Sequence, residues 1–191
     1  LNTACIKKLY VDLDETLLDS ISVWLQWIYE VKNVIIKRED ILTYEHIFES
    51  YGSSFMDFWN DPSYYNCDTI KPLNGAIEFI DALKSKYGKD NITIATWSYN
   101  DIVPYKNEIA KKFFGINNVI HSKEKWKHTC DGVLVDDAPH NIEEHSVNNH
   151  GILFNYDDMN PWARKSNTSY KANSYNKVLD ILEGINGNNR R

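Results

Sequence analysis

Three polar runs in this sequence each end an apolar stretch. They are Val11-Asp12-Leu13-Asp14-Glu15-Thr16, Ala95-Thr96 and Val135-Asp136-Asp137. The apolar residues before each run have the character of a buried strand. In a parallel sheet the three polar ends meet at one edge, where such sheets bind ligands. Asp12 and Asp14 are two apart, so strand alternation turns both to one side and Leu13 to the other. One carboxylate can attack while the other handles a proton. Paired carboxylates repel and need a cation between them. Asp136 adds an anionic oxygen from a neighbouring strand, and hard oxygen ligands with open water positions fit Mg2+. A phosphate ester at this edge also needs a hydroxyl and an ammonium. Thr96 can donate the hydrogen bond, and Lys123, Lys125 and Lys127 all lie where a lysine could add the positive charge.

The elements that would hold these residues alternate along the chain. Residues 5–12, 91–96, 118–121, 133–136 and 151–154 are expected to be strands. Helices are expected over 101–114, 139–148 and 174–184, with another opening at Pro72-Leu73-Asn74-Gly75 and capped by Gly88. Strands alternating with helices predict an α/β fold, a doubly wound parallel sheet. The stretch between strands one and two is too long for a simple crossover. Residues 21–33 carry Ile21, Trp24, Leu25, Ile28 and Val31 at helical spacing, and 38–50 and 53–60 are further helical pieces. This predicts a core domain of residues 1–17 and 71–185 with a helical cap, 18–70, over the strand ends. Residues 156–173 are expected to form a loop and 186–191 a frayed tail.

Composition narrows the function. A net charge of -6 argues against a nucleic-acid polymer or an anionic membrane as partner. No apolar run reaches membrane-span length, and the N-terminus leads straight into a strand, so no secretory leader is expected. Cys5, Cys67 and Cys130 form neither a metal spacing nor a disulfide framework. Buried free thiols in a reducing cytoplasm are expected. A homodimer is admitted as an assembly. His140, His145 and His150 are spaced by five, which does not stack them on one helix face, so surface or packing roles are expected. Lys106 is expected to be solvated.

The order of Asp12-x-Asp14-x-Thr16, Thr96, a lysine and Asp136-Asp137 resembles the four motifs of the haloacid dehalogenase (HAD) superfamily, with Lys125 as the motif lysine. The resemblance implies an aspartyl-phosphate formed on Asp12, with Asp14 as acid and base. It also implies Mg2+ held by the Asp12 carboxylate, the Asp14 main-chain carbonyl and Asp136. Asp14 argues against the dehalogenase branch.

Over most of its length the chain is similar to the 5'(3')-deoxyribonucleotidases of that superfamily. The likeness rests on the aromatic helix after strand one, Phe58-Trp59, Tyr64-Tyr65, Lys71-Pro72-Leu73-Asn74-Gly75-Ala76, Pro104-Tyr105 and His150-Gly151-Ile152-Leu153-Phe154. It implies a nucleoside monophosphate as the small-molecule substrate. Thr96, Trp97 and Lys125 are candidate phosphate-side contacts, and Trp59, Tyr64 and Tyr65 are candidates to stack on a base. The chain departs from the family at Glu15, where a Gly is usual, at Ser20 in place of an aromatic, and at Trp97-Ser98 in place of Ser-Pro. These departures bear on base and sugar preference. Two competing readings are a phosphatase of another phosphomonoester or of a phosphoprotein, and an inactive binding module of the same fold. A closing cap favours a small substrate over the protein, and the intact Asp12, Asp14 and Asp136 argue against the module.

Overall fold

The computed structural model describes residues 6–147, 149–164, 166 and 168–188. Six strands, β1 (Leu9–Val11), β2 (Ile92–Thr96), β3 (Val119–His121), β4 (Val133–Asp136), β5 (Gly151–Phe154) and β6 (Tyr170–Ala172), form one sheet in the order β3-β2-β1-β4-β5-β6. Every pairing is parallel. The sheet is of the doubly wound α/β kind, and β1 lies between β2 and β4, where the winding reverses. That reversal opens a crevice at the carboxyl ends of the strands. β1, β4 and β5 are buried along their whole length, as strands covered on both faces must be.

The helices are α1 (Ser20–Trp27), α2 (Tyr44–Tyr51), α3 (Ala76–Tyr87), α4 (Val103–Phe114), α5 (Trp126–Thr129), α6 (Pro139–Ser146) and α7 (Tyr175–Asn188). α3 packs on β2, α4 on β3, and α6 on β4 and β5. α3 and α4 each end at a glycine with positive φ, Gly88 (86°) and Gly115 (61°), a conformation that costs a side chain most.

The chain enters and leaves the long excursion after β1 through one short ribbon. Leu73 N–H donates to Leu17 O (2.9 Å), and Asp19 N–H donates to Lys71 O (3.0 Å). Leu18 and Pro72 form an antiparallel bridge there. Within the excursion α1 passes into a π turn, Ile28–Lys32. The wider turn shifts the helical phase, and Val31, expected on the buried stripe, is 48% exposed. The helix expected over 38–50 is two pieces, a 3-10 turn at Arg38–Asp40 and α2.

Three further expectations are corrected. Residues 156–173 are not all loop, because Tyr170–Ala172 form the edge strand β6. The tail expected from residue 186 is helical as far as Asn188, and Asn186 Oδ1 accepts a hydrogen bond from the Ile6 amide (2.9 Å). Cys67 is buried as expected, but Cys130 is exposed; Cys5 lies outside the described residues.

Gly132 sets the approach of β4 to β1. Val133 N–H donates to Lys8 O (3.1 Å), and a Cβ on Gly132 would lie 2.4 Å from that same oxygen. Gly132→Ala should therefore push the two central strands apart and lower stability by about 1–3 kcal/mol. Urea unfolding checks this, and an unchanged midpoint would contradict it.

Candidate active site

The strand ends meet in the crevice. Asp12 follows β1 directly, and its amide donates to Val135 O of β4 (2.9 Å). Asp136 closes β4, Asp137 follows, and Thr96 closes β2. All four side chains are buried, as is Lys125 at the start of α5. One carboxylate oxygen from each of Asp12, Asp136 and Asp137 lies within 4.8 Å of the others.

Lys125 Nζ lies 2.7 Å from Asp12 Oδ1 and 2.6 Å from Asp136 Oδ2. Lys123 is exposed at the cavity wall, with its ammonium 4.6 Å from the Trp97 ring centroid. Lys127 is exposed and pairs with Glu124 at 2.7 Å. Of the three candidate lysines, only Lys125 touches the carboxylates. Burial alone would lower its pKa, but Asp12 and Asp136 outweigh that and raise it, so the ammonium stays charged.

The carboxylates are held by different partners. Asp136 accepts hydrogen bonds from the Ala138 amide (2.9 Å) and from Asn141 Nδ2 (3.0 and 3.1 Å). Asp137 accepts one from Trp162 Nε1 (2.8 Å). Asp12 Oδ1 is buried and faces the Lys125 ammonium, with no other donor to it among the described residues. Burial, with Asp136 and Asp14 adding, pushes Asp12 up to about 7 against the pull of Lys125. Asp137 is likewise raised well above the usual carboxylate range, first by burial and then by Asp136 and Asp12. Three buried carboxylate oxygens this close together, with one ammonium beside them, fit a hard divalent cation.

The Asp14 side chain is not in that cluster. Its Oδ2 accepts from Lys106 Nζ (2.5 Å), and its Oδ1 accepts from the Tyr65 hydroxyl. Lys106, expected in solvent, is instead buried and also donates to Thr96 Oγ1 (3.1 Å) and Trp97 O (2.5 Å). Two signals could have found it. α4 starts close behind the end of β2, and a lysine in the first turn opposes the helix dipole unless something holds it there.

A cavity of about 350 Å3 opens above these groups, with Asp12, Thr96 and Lys125 at its base and Met56, Trp59 and Trp97 among its walls. His140 also lines it, whereas His145 packs internally against Thr129 Oγ1 (2.9 Å) and Gly132 O (3.2 Å). Two of the expected base-stacking residues are elsewhere. Tyr64 packs edge-on against Trp27, and the Tyr65 ring is fully buried beside Phe58 and Trp59. Neither lines the cavity, so the stacking role expected for them is corrected.

Glu15, in sequence terms only a departure from glycine, has a structural part of its own. It adopts the left-handed φ of 56° that a glycine there would take readily. Its buried carboxylate accepts from the Ile21 amide (2.7 Å) and from Arg38 (2.5 Å). Arg38 in turn reaches Asp19 (2.6 Å) and Asn160 (2.9 Å), tying the excursion after β1 to the loop after β5.

The family model for "5' nucleotidase, deoxy (Pyrimidine), cytosolic type C protein" matches residues 5–186. A comparison with curated proteins returned no match. Among solved structures, a HAD family hydrolase from Deinococcus radiodurans R1 with bound phosphate and sodium is similar at a TM-score of 0.66 and 11% identity, over 95% of this chain and 97% of that one. The HAD-hydrolase YfnB from Bacillus subtilis, bound to magnesium, is similar at 0.62 and 13%, over 94% and 99%. A dehalogenase is similar at 0.61 and 10%, over 93% and 97%. At these identities the structural likeness speaks for the fold, which spans more than one chemistry.

Among the described residues Lys125 is the one cation between two buried carboxylates, so removing it leaves both without their ammonium. Lys125→Met, measured by urea unfolding in chelator near about pH 8, should cost about 3–5 kcal/mol. Asp12, already raised by burial, then loses the cation that pulls its pKa down and must take up a proton to stay buried, so the loss grows with pH. A cost below about 1 kcal/mol, or one that shrinks as pH rises, would contradict this.

Proposed function

Because the chain belongs to the cytosolic type C family of deoxy (pyrimidine) 5' nucleotidases, and so to the phosphoric monoester hydrolases, we propose that it is a Mg2+-dependent nucleotidase acting on deoxynucleoside monophosphates through a phosphorylated Asp12. The observation that carries this reading is the buried group of Asp12, Asp136, Asp137 and Lys125 at the base of a cavity whose upper walls include Trp59 and Trp97.

The Asp12 carboxylate attacks phosphorus. A bond forms from its oxygen to phosphorus as the ester P–O bond breaks. Asp14, entering the step protonated, gives that proton to the departing nucleoside oxygen and becomes the carboxylate that Lys106 and Tyr65 hold. Water then attacks the aspartyl-phosphate while Asp14 takes up one of its protons. The Asp12–phosphorus link breaks and inorganic phosphate leaves. Thr96 Oγ1 and Lys125 Nζ donate to the non-bridging phosphate oxygens and counter their charge. Mg2+, held by Asp12, Asp136 and the Asp14 carbonyl with the Asp137 carboxylate alongside, supplies further neutralisation of the phosphate when bound. Trp59 and Trp97 offer ring faces to the base, a contact of about 1–3 kcal/mol. The excursion over residues 18–70 acts as the cap.

Phosphate release from deoxy- and ribonucleoside monophosphates, sugar phosphates and a phosphopeptide tests the reading. Turnover concentrated on deoxynucleotides, lost in chelator and reduced about a thousandfold or more by Asp12→Asn, is the expected result. Turnover of the phosphopeptide or sugar phosphates alone would overturn the nucleotide assignment. Survival of activity in Asp12→Asn would overturn the nucleophile.

Cation binding should also depend on pH. Burial places Asp12 at about 7 without the cation, so protons compete for it below that value. The rise in thermal midpoint on adding Mg2+ should therefore shrink between about pH 8 and about pH 6. A rise that is the same at both would contradict this assignment of the site.

A further inference from the structure

The side chain proposed as acid and base is held from two directions. Both donors to Asp14, Tyr65 and Lys106, are buried, but they come from different parts of the chain. Lys106 stands on α4 of the core. Tyr65 closes a turn in the excursion after β1, where its amide donates to Asp61 O (2.8 Å). The two are also in contact with each other, with Lys106 Nζ 5.2 Å from the Tyr65 ring centroid.

The place of the Tyr65 hydroxyl is set by ring packing. The Tyr65 ring lies 6.1 Å from Phe58 and 6.0 Å from Trp59, centroid to centroid. Trp59 in turn packs on Trp24 at 5.5 Å and lines the cavity. The ring that walls the substrate space is thus next to the ring whose hydroxyl orients the acid. A hydroxyl on a fully buried ring has little freedom, so the carboxylate it bonds has little as well.

Building on the assignment of Asp14 above, we propose that Tyr65 is a positioning residue, through which the cap segment fixes the Asp14 carboxylate for proton transfer to the leaving group. Lys106 is its counterpart from the core. Tyr65 serves the reaction through its hydroxyl and not by stacking on a base.

The nature of the leaving group supplies the test. A nucleoside oxygen must be protonated as it departs, whereas a nitrophenolate leaves without help. kcat/KM, which reports the step that expels the leaving group, is measured for the alkyl phosphomonoester turned over fastest and for p-nitrophenyl phosphate. Tyr65→Phe keeps the ring and removes only the hydroxyl. It should lower kcat/KM about tenfold or more on the alkyl ester and less than about threefold on the nitrophenyl ester. Asp14→Asn gives the full signature for scale. Equal losses on both esters, or no loss on either, would overturn the positioning role while leaving the phosphatase reading intact. A wild-type protein that turns over only the nitrophenyl ester has no proton to place, which also overturns it. Absence of wild-type turnover on both esters would overturn the phosphatase reading and the positioning role together. Should Tyr65→Phe fail to fold by circular dichroism, Lys106→Met, which removes the other hydrogen bond to Asp14, carries the same comparison.

Discussion

Burying like charges together is the constraint around which this protein is built. Two unit charges about 4 Å apart interact by about 4 kcal/mol at an effective dielectric near 20, and three carboxylates here crowd to within 4.8 Å. One ammonium, Lys125, is shared by two of them. The backbone and side-chain donors of Ala138, Asn141 and Trp162 serve Asp136 and Asp137. Among the described residues Asp12 has the Lys125 ammonium alone, and burial beside Asp136 and Asp14 raises its pKa. Asp14 is kept apart, with its own lysine and tyrosine, so the two motif carboxylates occupy different electrostatic environments.

The rest of the fold serves this arrangement. β1, β4 and β5 are buried along their whole length, which fixes their ends relative to one another within a close-packed core. The reversal of winding at β1 opens the crevice above Asp12 and Asp136. The paired connectors at Leu17 and Leu73 bring the excursion back where it began. The Glu15–Arg38–Asn160 contacts then tie it down across the crevice.

The site was legible in the sequence where it depends on strands. Apolar runs ending in Asp12, Thr96 and Asp136 fix both the pleat and the edge at which they stop. The choice of Lys125 over its neighbours required a family likeness, because three lysines in one interval have no periodicity to separate them. β6 was missed because Tyr170-Lys171-Ala172 is three residues long, half polar in character and at the sheet edge, where pairing and not pattern makes the strand. Lys106 and Tyr65 were misread for a shared reason. Their burial follows from how α4 and the excursion dock on the core, contacts 92 and 51 residues from Asp14 in the chain. Local composition carries no trace of Tyr65, and for Lys106 only its place in the first turn of α4. Glu15 was visible as a departure from glycine, but its partner Arg38 lies 23 residues away and became apparent only in three dimensions.

The proposed function turns on Asp12 carrying the phosphoryl group between substrate and water. The most direct measurement is an acid quench, within a single turnover, of the protein mixed with a 32P-labelled deoxynucleoside monophosphate and Mg2+, followed by peptide mapping. Transient, base-labile label is expected on the peptide containing Asp12, formed and lost at rates that match turnover. Turnover without label on that peptide, or with label on another residue, would contradict it.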